Sequence, residues 1–352
     1  ATETYDGTTW TTSPATLATA QAGGLGGPVG TSTASLFAGG RTGPAMTPPI
    51  VNTTQEYNKT ATVITAGAWA AGGTMNVGAM SMGGIGSQTA TLRVGGSVPP
   101  GNIGTTACEE YDGATWTVAT VYPAALGHIA ATGVQTAGLG VGGASTTPYT
   151  NAVNDYNGTS WTAGTVYPVS YRSAVACGTA TAAVVTGGDI FPAPPVRRST
   201  LTNEYNGASW SPGGALGTAR YDFCGAGTQT AAAVCGGTSP ASAATEEYNG
   251  ASWTVGGVAL FNVSSAGSSG SGTQDDWILF GGGTAPSAAT IGYDGTAWST
   301  RPSMATSRYA AAGAGTATAA IGIGGRDPGY STASEEFTGQ TSAANIKTLT
   351  TS

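Results

Sequence analysis

The chain has 352 residues, a net charge of −7, and charged side chains at only 8% of positions, far below the ~25% of ordinary soluble domains. Its few arginines are scattered, so no basic stripe exists to neutralise phosphates, and duplex nucleic-acid binding is excluded. No apolar run approaches the ~20 residues of a membrane span, so no membrane insertion is expected.

With charge so scarce, the surface must be Thr, Ser, Asn and backbone; lysine is reduced to Lys59 and Lys347. Such a surface stays soluble through hydroxyls and offers few protease sites. It suits a virion or another extracellular surface better than a cytosol. The chain opens on Ala1 rather than Met, as a processed protein or a segment of a longer one would.

Along the chain one ten-residue interval is written seven times, opened by a glycine and closed by a glycine pair. The copies run Gly30 to Gly40, Gly86 to Gly96, Gly133 to Gly143, Gly178 to Gly188, Gly227 to Gly237, Gly272 to Gly282 and Gly315 to Gly325. Each reads as a hairpin, with a turn such as Gly-Thr-Gln-Thr followed by an Ala/Val/Ile run. A second element keeps phase with it: Tyr, then Asn-Gly or Asp-Gly, then Trp. It stands at Tyr5/Trp10, Tyr111/Trp116, Tyr156/Trp161, Tyr205/Trp210, Tyr248/Trp253 and Tyr293/Trp298. Asn-Gly and Asp-Gly are the strongest short hairpin signals, because both central residues of a type I′ turn need positive φ. Two hairpins make a four-stranded antiparallel unit, whose strands are named first to fourth in chain order. A repeat of roughly 45 residues holding several short strands is the mark of a β-propeller.

One copy departs from the pattern. Tyr57 is followed by Asn58-Lys59, and Trp69 stands twelve residues on. Trp69 to Gly86 is 17 residues, as are Trp116 to Gly133 and Trp161 to Gly178, so the excess is assigned to a long third–fourth turn at residues 58–67. At the C-terminal end, Glu335-Glu336-Phe337-Thr338-Gly339 imitates the Tyr motif with no Trp after it, whereas Tyr5 and Trp10 have no hairpin before them. The ring is therefore expected to close by N-terminal strand exchange, with residues 8–13 outermost in the blade that holds residues 315–325. Residues 1–6 and 333–338 both fit its third strand; the intact N-terminal motif is favoured. The expected fold is all-β: a seven-bladed β-propeller of four-stranded antiparallel blades. It forms one domain over residues 1–340, with 341–352 a tail or linker.

A glycine pair ending the second strand, then a Tyr, then a Trp, resembles the kelch repeat over nearly the whole chain. The resemblance implies structural roles for Gly40, Gly96, Gly143, Gly188, Gly237, Gly282 and Gly325, which permit close packing. It implies the same for Tyr5 and for Trp10, Trp69, Trp116, Trp161, Trp210, Trp253 and Trp298, which fill the space between blades. The Ala/Thr/Ser/Gly-rich wording, as in Glu247-Tyr248-Asn249-Gly250-Ala251-Ser252-Trp253, also resembles kelch-like repeat proteins of tailed phages, particularly marine ones.

Chemistry-bearing residues are few. His128 is the only histidine; the copper radical oxidases built on kelch-type propellers use two, so this chain is not of that kind. His128 aligns near the start of a first strand, with Arg172, Arg220 and Arg308 of other copies. The four are expected on the pore rim, where positive groups suit an anion or an acidic glycan. The competing reading has each Arg tying down neighbouring loop carbonyls. The pairs Glu109-Glu110, Glu246-Glu247 and Glu335-Glu336 recur in the repeat register, which argues for a structural role. Cys108, Cys177, Cys224 and Cys235 read as small core residues, with Cys224 and Cys235 flanking one hairpin turn. Their spacing is not a zinc pattern, and no metal or cofactor is expected.

The second–third loops and inter-blade connections share one face and vary in length. They carry Arg41, Met46, Tyr149, Asp189, Phe191, Arg197, Arg198 and Arg326, the candidate binding residues, because binding usually lives on variable loops of a rigid scaffold. The function expected is non-enzymatic: a virion propeller, in a phage tail, fibre or capsid decoration, presenting its loop-rich face to other virion proteins or to a surface glycan. A homo-oligomer within a larger assembly is compatible with this. The alternatives are a glycan-active hydrolase or lyase using Arg and acid residues of the variable face, and an intracellular kelch-type adaptor.

Overall fold

The computed structural model describes residues 3–5, 9–12, 29–31, 34–41, 50–58, 61–145, 148–191, 198–238, 242–262, 269–282 and 285–345. The chain divides into two compact units: residues 67–339, and residues 1–66 together with 340–352. The first unit is a β-propeller. Its described residues form six four-stranded antiparallel blades, not the seven expected.

The first blade contains Gly83–Ser87, Ala90–Val94, Cys108–Tyr111 and Trp116–Val118. The second contains Ala130–Val134, Ala137–Val141, Val153–Tyr156 and Trp161–Ala163. Val175–Thr179, Ala182–Thr186, Thr202–Tyr205 and Trp210–Pro212 make the third. Cys224–Gly227, Ala232–Cys235, Thr245–Tyr248 and Trp253–Val255 make the fourth. The fifth is built from Ser269–Gly272, Trp277–Phe280, Thr290–Tyr293 and Trp298–Arg301. The sixth takes Ala312–Gly315, Ala319–Ile323 and Ala333–Thr338 from the C-terminal side and its fourth strand, Ala68–Thr74, from the other end of the chain.

That last pairing accounts for the blade count. Phe337 stands opposite Trp69 as Tyr111 stands opposite Trp116 and Tyr156 opposite Trp161. The motif lacking its Trp and the Trp lacking its motif complete each other, so no place is left for the Gly30–Gly40 hairpin. The outermost strand of the sixth blade is thus residues 68–74 rather than 8–13, and its third strand is the C-terminal copy. Residues 1–66 and 340–352 form the second unit. In that unit Val29–Thr31, Ala34–Arg41 and Ile50–Asn58 form a three-stranded sheet, Glu3–Tyr5 pairs with Trp10–Thr12, and Ala61–Thr65 pairs with Thr341–Asn345. The expected long turn at 58–67 therefore contains a strand of a different sheet, and the expected tail begins with one.

The innermost strands are read directly in the composition. Gly83–Ser87 lies beside both Ala130–Val134 and Ala312–Gly315. A Cβ on Gly84 would come within 2.7 Å of the Gly313 carbonyl oxygen, and one on Gly225 within 2.6 Å of Val175 Cγ1. Where first strands come this close, Gly and Ala dominate, and larger residues such as Ile85 and Val175 alternate with them. They surround an axial channel of about 310 Å³ lined chiefly by Gly and Ala. Between blades the core is filled by the second strands, with Leu92, Val94, Leu139, Val141, Val185, Val234, Leu279 and Ile321 buried, and by the Tyr–Trp pairs, whose rings lie 4.6 Å apart in Tyr205–Trp210. Trp116 and Trp298 are buried. Trp69, Trp161, Trp210 and Trp253 are half-buried, less than expected, because the fourth strand is the outer edge of each blade.

The Tyr–Trp turns also differ from expectation. Four residues separate the pair, and only the glycine has positive φ, 94° at Gly113 and 89° at Gly158. The preceding side chain supplies the rest: Asn157 Oδ1 accepts the Thr159 and Ser160 amides, and Asp112 Oδ1 those of Ala114 and Thr115. These are Asx turns, a local alternative to the primed turn.

Candidate functional site

Three recurrent devices use most of the polar side chains of the repeat. The first is the glutamine of the first–second turn. Gln135 Nε2 donates to the Thr91 and Tyr111 carbonyls of the preceding blade, and Gln88, Gln229 and Gln274 do the same one blade apart. The second is the tyrosine of the third strand. Tyr111 donates to Glu336 at 2.6 Å, Tyr156 to Glu110 at 2.8 Å, and Tyr248 to Glu204 at 2.7 Å, with Tyr293 likewise bound to Glu247. Burial, then the carboxylate partner, pushes Tyr111, Tyr248 and Tyr293 up to about 12.

The third device is the first glutamate of each pair. Glu246 accepts the Gly217 and Thr218 amides, Glu335 those of Ala305 and Thr306, and Glu109 those of Asn76 and Val77. Each carboxylate is buried beside an arginine: Arg220, Arg308 and Arg93 respectively. In the second and third blades the same position is Asn154 and Asn203, which donate to Tyr122 and Tyr167. The paired acids are thus structural, as their recurrence implied.

These contacts dissolve the expected arginine ring. Arg220 Nη1 donates to the Gly236 and Ala244 carbonyls, and Arg308 Nη1 to those of Gly324 and Ala333. Both are buried and do what the competing reading proposed. Arg172 belongs elsewhere: it is partly exposed and pairs with Asp189 at 3.1 Å. His128 stands two residues before its first strand, whereas Arg220 and Arg308 stand four before theirs, so the four never shared a register.

The residues that do ring the channel are those two positions before each first strand. Ser81, His128, Ser173, Asp222 and Ala310 all hold left-handed backbone, with φ between 51° and 56°. Their peptides bond one another around the axis: Ser81 N–H to Ala310 O, His128 N–H to Ser81 O, Ser173 N–H to His128 O, and Asp222 N–H to Ser173 O. The sixth place falls within 263–268, outside the described residues. The five line a cup of about 110 Å³, walled also by Met82, Ile129, Ala174 and Phe223. Of these polar residues sequence reasoning found only His128. The signal for the rest was their constant offset from the first strand, not their identity.

Among the candidate binding residues, the structure gathers one group. Tyr149, in the second–third loop of the second blade, donates to Asp189 Oδ2 at 2.8 Å, and Asp189 opens the corresponding loop of the third. The Arg172 guanidinium lies over the Tyr149 ring at 4.9 Å, and Phe191 packs on it at 5.4 Å between centroids. Asp189 Oδ1 is buried without a partner. Arg198 bridges Asp189 through its backbone. Arg326 is separate, its Nε on the Pro328 carbonyl and its guanidinium over Tyr330. Arg41 ends a strand of the other unit. Met46 and Arg197 lie outside the described residues. All four cysteines are buried, with Cys224 directly opposite Cys235. No protein-family model and no curated protein matches the sequence.

Proposed function

We propose that this chain is a non-enzymatic recognition propeller of the kelch type, carried on a virion and presenting its loop-rich face to a protein or surface glycan. One observation carries the reading. The polar residues common to the blades are spent on holding blades and linkers, while the side chains that differ gather where Tyr149, Arg172, Asp189 and Phe191 meet. An aromatic–arginine cluster on a rigid scaffold is what recognition surfaces use, because it contributes contact area at little conformational cost. The near-absence of charge and the phage-like wording of the repeat support the virion setting. Glycan arrays and pull-downs from the native source, with the parent chain and with Phe191→Ala and Arg172→Ala, test it. Binding lost in both variants is the expected result. Turnover of a glycoside by the parent chain, abolished by Asp189→Asn, would replace this reading with the glycan-active alternative.

A further inference from the structure

Five of the six blades join their third and fourth strands through one kind of turn, opened by an aspartate in two blades and an asparagine in three. Asp112 and Asp294 stand in the first and fifth blades, Asn157, Asn206 and Asn249 in the three between, and a glycine follows each. All five side chains aim one oxygen at the same two amides. Asp112 Oδ1 accepts from Ala114 and Thr115, and Asp294 Oδ1 from Thr296 and Ala297, at 2.7–2.9 Å. The Oδ1 atoms of Asn157, Asn206 and Asn249 accept the matching amides at 2.8–3.0 Å. This cradle favours a charged oxygen. The Thr115 and Ala114 amides hold the Asp112 carboxyl below the usual carboxylate range, and those of Ala297 and Thr296 do the same for Asp294.

In the asparagine turns the same arrangement sets up a reaction. Bonding Oδ1 to the amide two residues on folds the side chain back over the Asn–Gly peptide between them. The nitrogen of that peptide is the nucleophile, and glycine leaves it unshielded by a Cβ. All three asparagines are exposed, so water reaches the turn. We propose that Asn157, Asn206 and Asn249 are sites of self-catalysed deamidation, with the turn amides acting as an oxyanion hole. The glycine nitrogen gives its proton to solvent and bonds to Cγ. The tetrahedral oxyanion forms on Oδ1, where donors already stand at the distances such holes use. The Cγ–Nδ2 bond then breaks, and Nδ2 takes a proton from water and leaves as ammonia. A second water opens the succinimide at either carbonyl, giving aspartate or isoaspartate. A hydrogen bond to an ionised acceptor is roughly twice as strong as one to a neutral acceptor, so the cradle stabilises the oxyanion more than the starting amide. The aspartate product is the turn already present at Asp112 and Asp294, and each conversion adds a negative charge at the turn end of its blade.

Asn157 should react first. Its Oδ1 also accepts the Thr159 hydroxyl at 2.9 Å and the Ser160 hydroxyl at 3.3 Å, whereas Asn206 and Asn249 have only a serine hydroxyl, at 3.3 and 3.5 Å. The whole chain is aged at mildly alkaline pH and body temperature, folded and in urea, and peptide mass mapping follows each site. All three sites should react faster folded than unfolded. In the folded chain Asn157 should lead the other two by about three- to tenfold, the worth of one added hydrogen bond, and in urea the three should converge. Thr159→Ala writes the third blade's Asn-Gly-Ala-Ser into the second, a turn the fold already uses, and should bring Asn157 down to the rate of Asn206. Asn157→Asp should leave the melting temperature unchanged, as the bonds of Asp112 imply. Slower reaction in the folded chain than in urea, no lead for Asn157 when folded, a lead that survives urea or Thr159→Ala, or a melting temperature lowered by Asn157→Asp would each overturn the proposal.

Discussion

Arg220→Met is the sharpest test of how this propeller is held. Arg220 is 3% exposed and makes four hydrogen bonds: Nη1 to the Gly236 and Ala244 carbonyls at 2.8 and 3.0 Å, Nε to the Thr218 carbonyl at 3.4 Å, and Nη2 to Glu246. Methionine keeps the aliphatic stem and removes all four. Breaking a buried ion pair from one side costs about 3–5 kcal/mol, because the remaining charge is left uncompensated. Here the carboxylate retains the Gly217 and Thr218 amides, and the Ala244 carbonyl retains the Gly236 amide. The Gly236 carbonyl and, at a longer 3.4 Å, the Thr218 carbonyl lose the arginine, so the lower end, about 3 kcal/mol, is expected. The matching substitution Arg172→Met removes a pair whose arginine side chain is 33% exposed and should cost about 0–1 kcal/mol. Urea unfolding followed by tryptophan fluorescence measures both. Equal losses, or a loss below about 1 kcal/mol at Arg220, would refute the assignment of Arg220 to loop anchoring and restore it to a rim shared with Arg172.

Four further outcomes follow from the packing and the ionisable groups. Gly84→Val places a branched side chain where even a Cβ meets the Gly313 carbonyl at 2.7 Å; a loss of about 2–3 kcal/mol or more is expected in denaturant unfolding. Trp69→Ala removes a half-buried ring packed on Phe280 and Phe337 at 4.9 and 5.2 Å and should lower propeller stability by about 2–3 kcal/mol, whereas Trp10→Ala, in the other unit, should leave that transition in place. In alkali, the tyrosines raised to about 12 are still protonated where unfolded tyrosine, near 10, has ionised. Their stabilisation is full below pH 10 and is lost between pH 10 and 12, and Tyr293→Phe should flatten that loss in pH-jump melting curves. In acid, His128 is held near 4 by burial, so the unfolded chain takes up its proton first below about 6.5. Stability should fall as pH falls from 6.5 toward 4, and His128→Asn should shallow the slope.

Much of this fold was legible because the repeat states its own periods. The glycine-opened hairpins, the Tyr–Trp pairs and the core role of Val and Ile all lie where the sequence puts them. The blade count was not legible from counting copies. Seven hairpins are present, and six enter the ring. The deciding information lay in the two irregular motifs, Phe337 without a tryptophan and Trp69 without its tyrosine, which face each other across one sheet. Tyr5 and Trp10 already pair in a hairpin of their own and so had no vacancy to fill. A second signal was available in the first strands. Gly83-Gly84-Ile85-Gly86 and Ala312-Gly313-Ala314-Gly315 are too small for a roomy centre; close approach of neighbouring backbones is what strips side chains from them.

The candidate site shows why residue type misleads when register is ignored. Three arginines and one histidine near first-strand starts look like a charged ring, yet an offset of one or two residues sends each to a different task. Arg220 and Arg308, four positions out, turn inward onto carbonyls and glutamates. Arg172, three positions out, reaches Asp189 in the loop above. Only the position two before the strand faces the axis, and there the left-handed backbone matters more than the side chain: Ser, His, Ser, Asp and Ala all adopt it, and the amides of the first four donate to the preceding blade's peptide. A backbone circlet of this kind fixes the mouth whatever side chains it carries, so side chains there are free to differ. The side chains of Asp222, His128 and Ser81 are therefore not dictated by the circlet, whereas the same freedom does not exist at Arg220, whose loss unpins a linker. The two sets separate in urea unfolding: Ser81→Ala, which removes a hydroxyl without a partner, should leave the midpoint unchanged, whereas Arg220→Met should lower it.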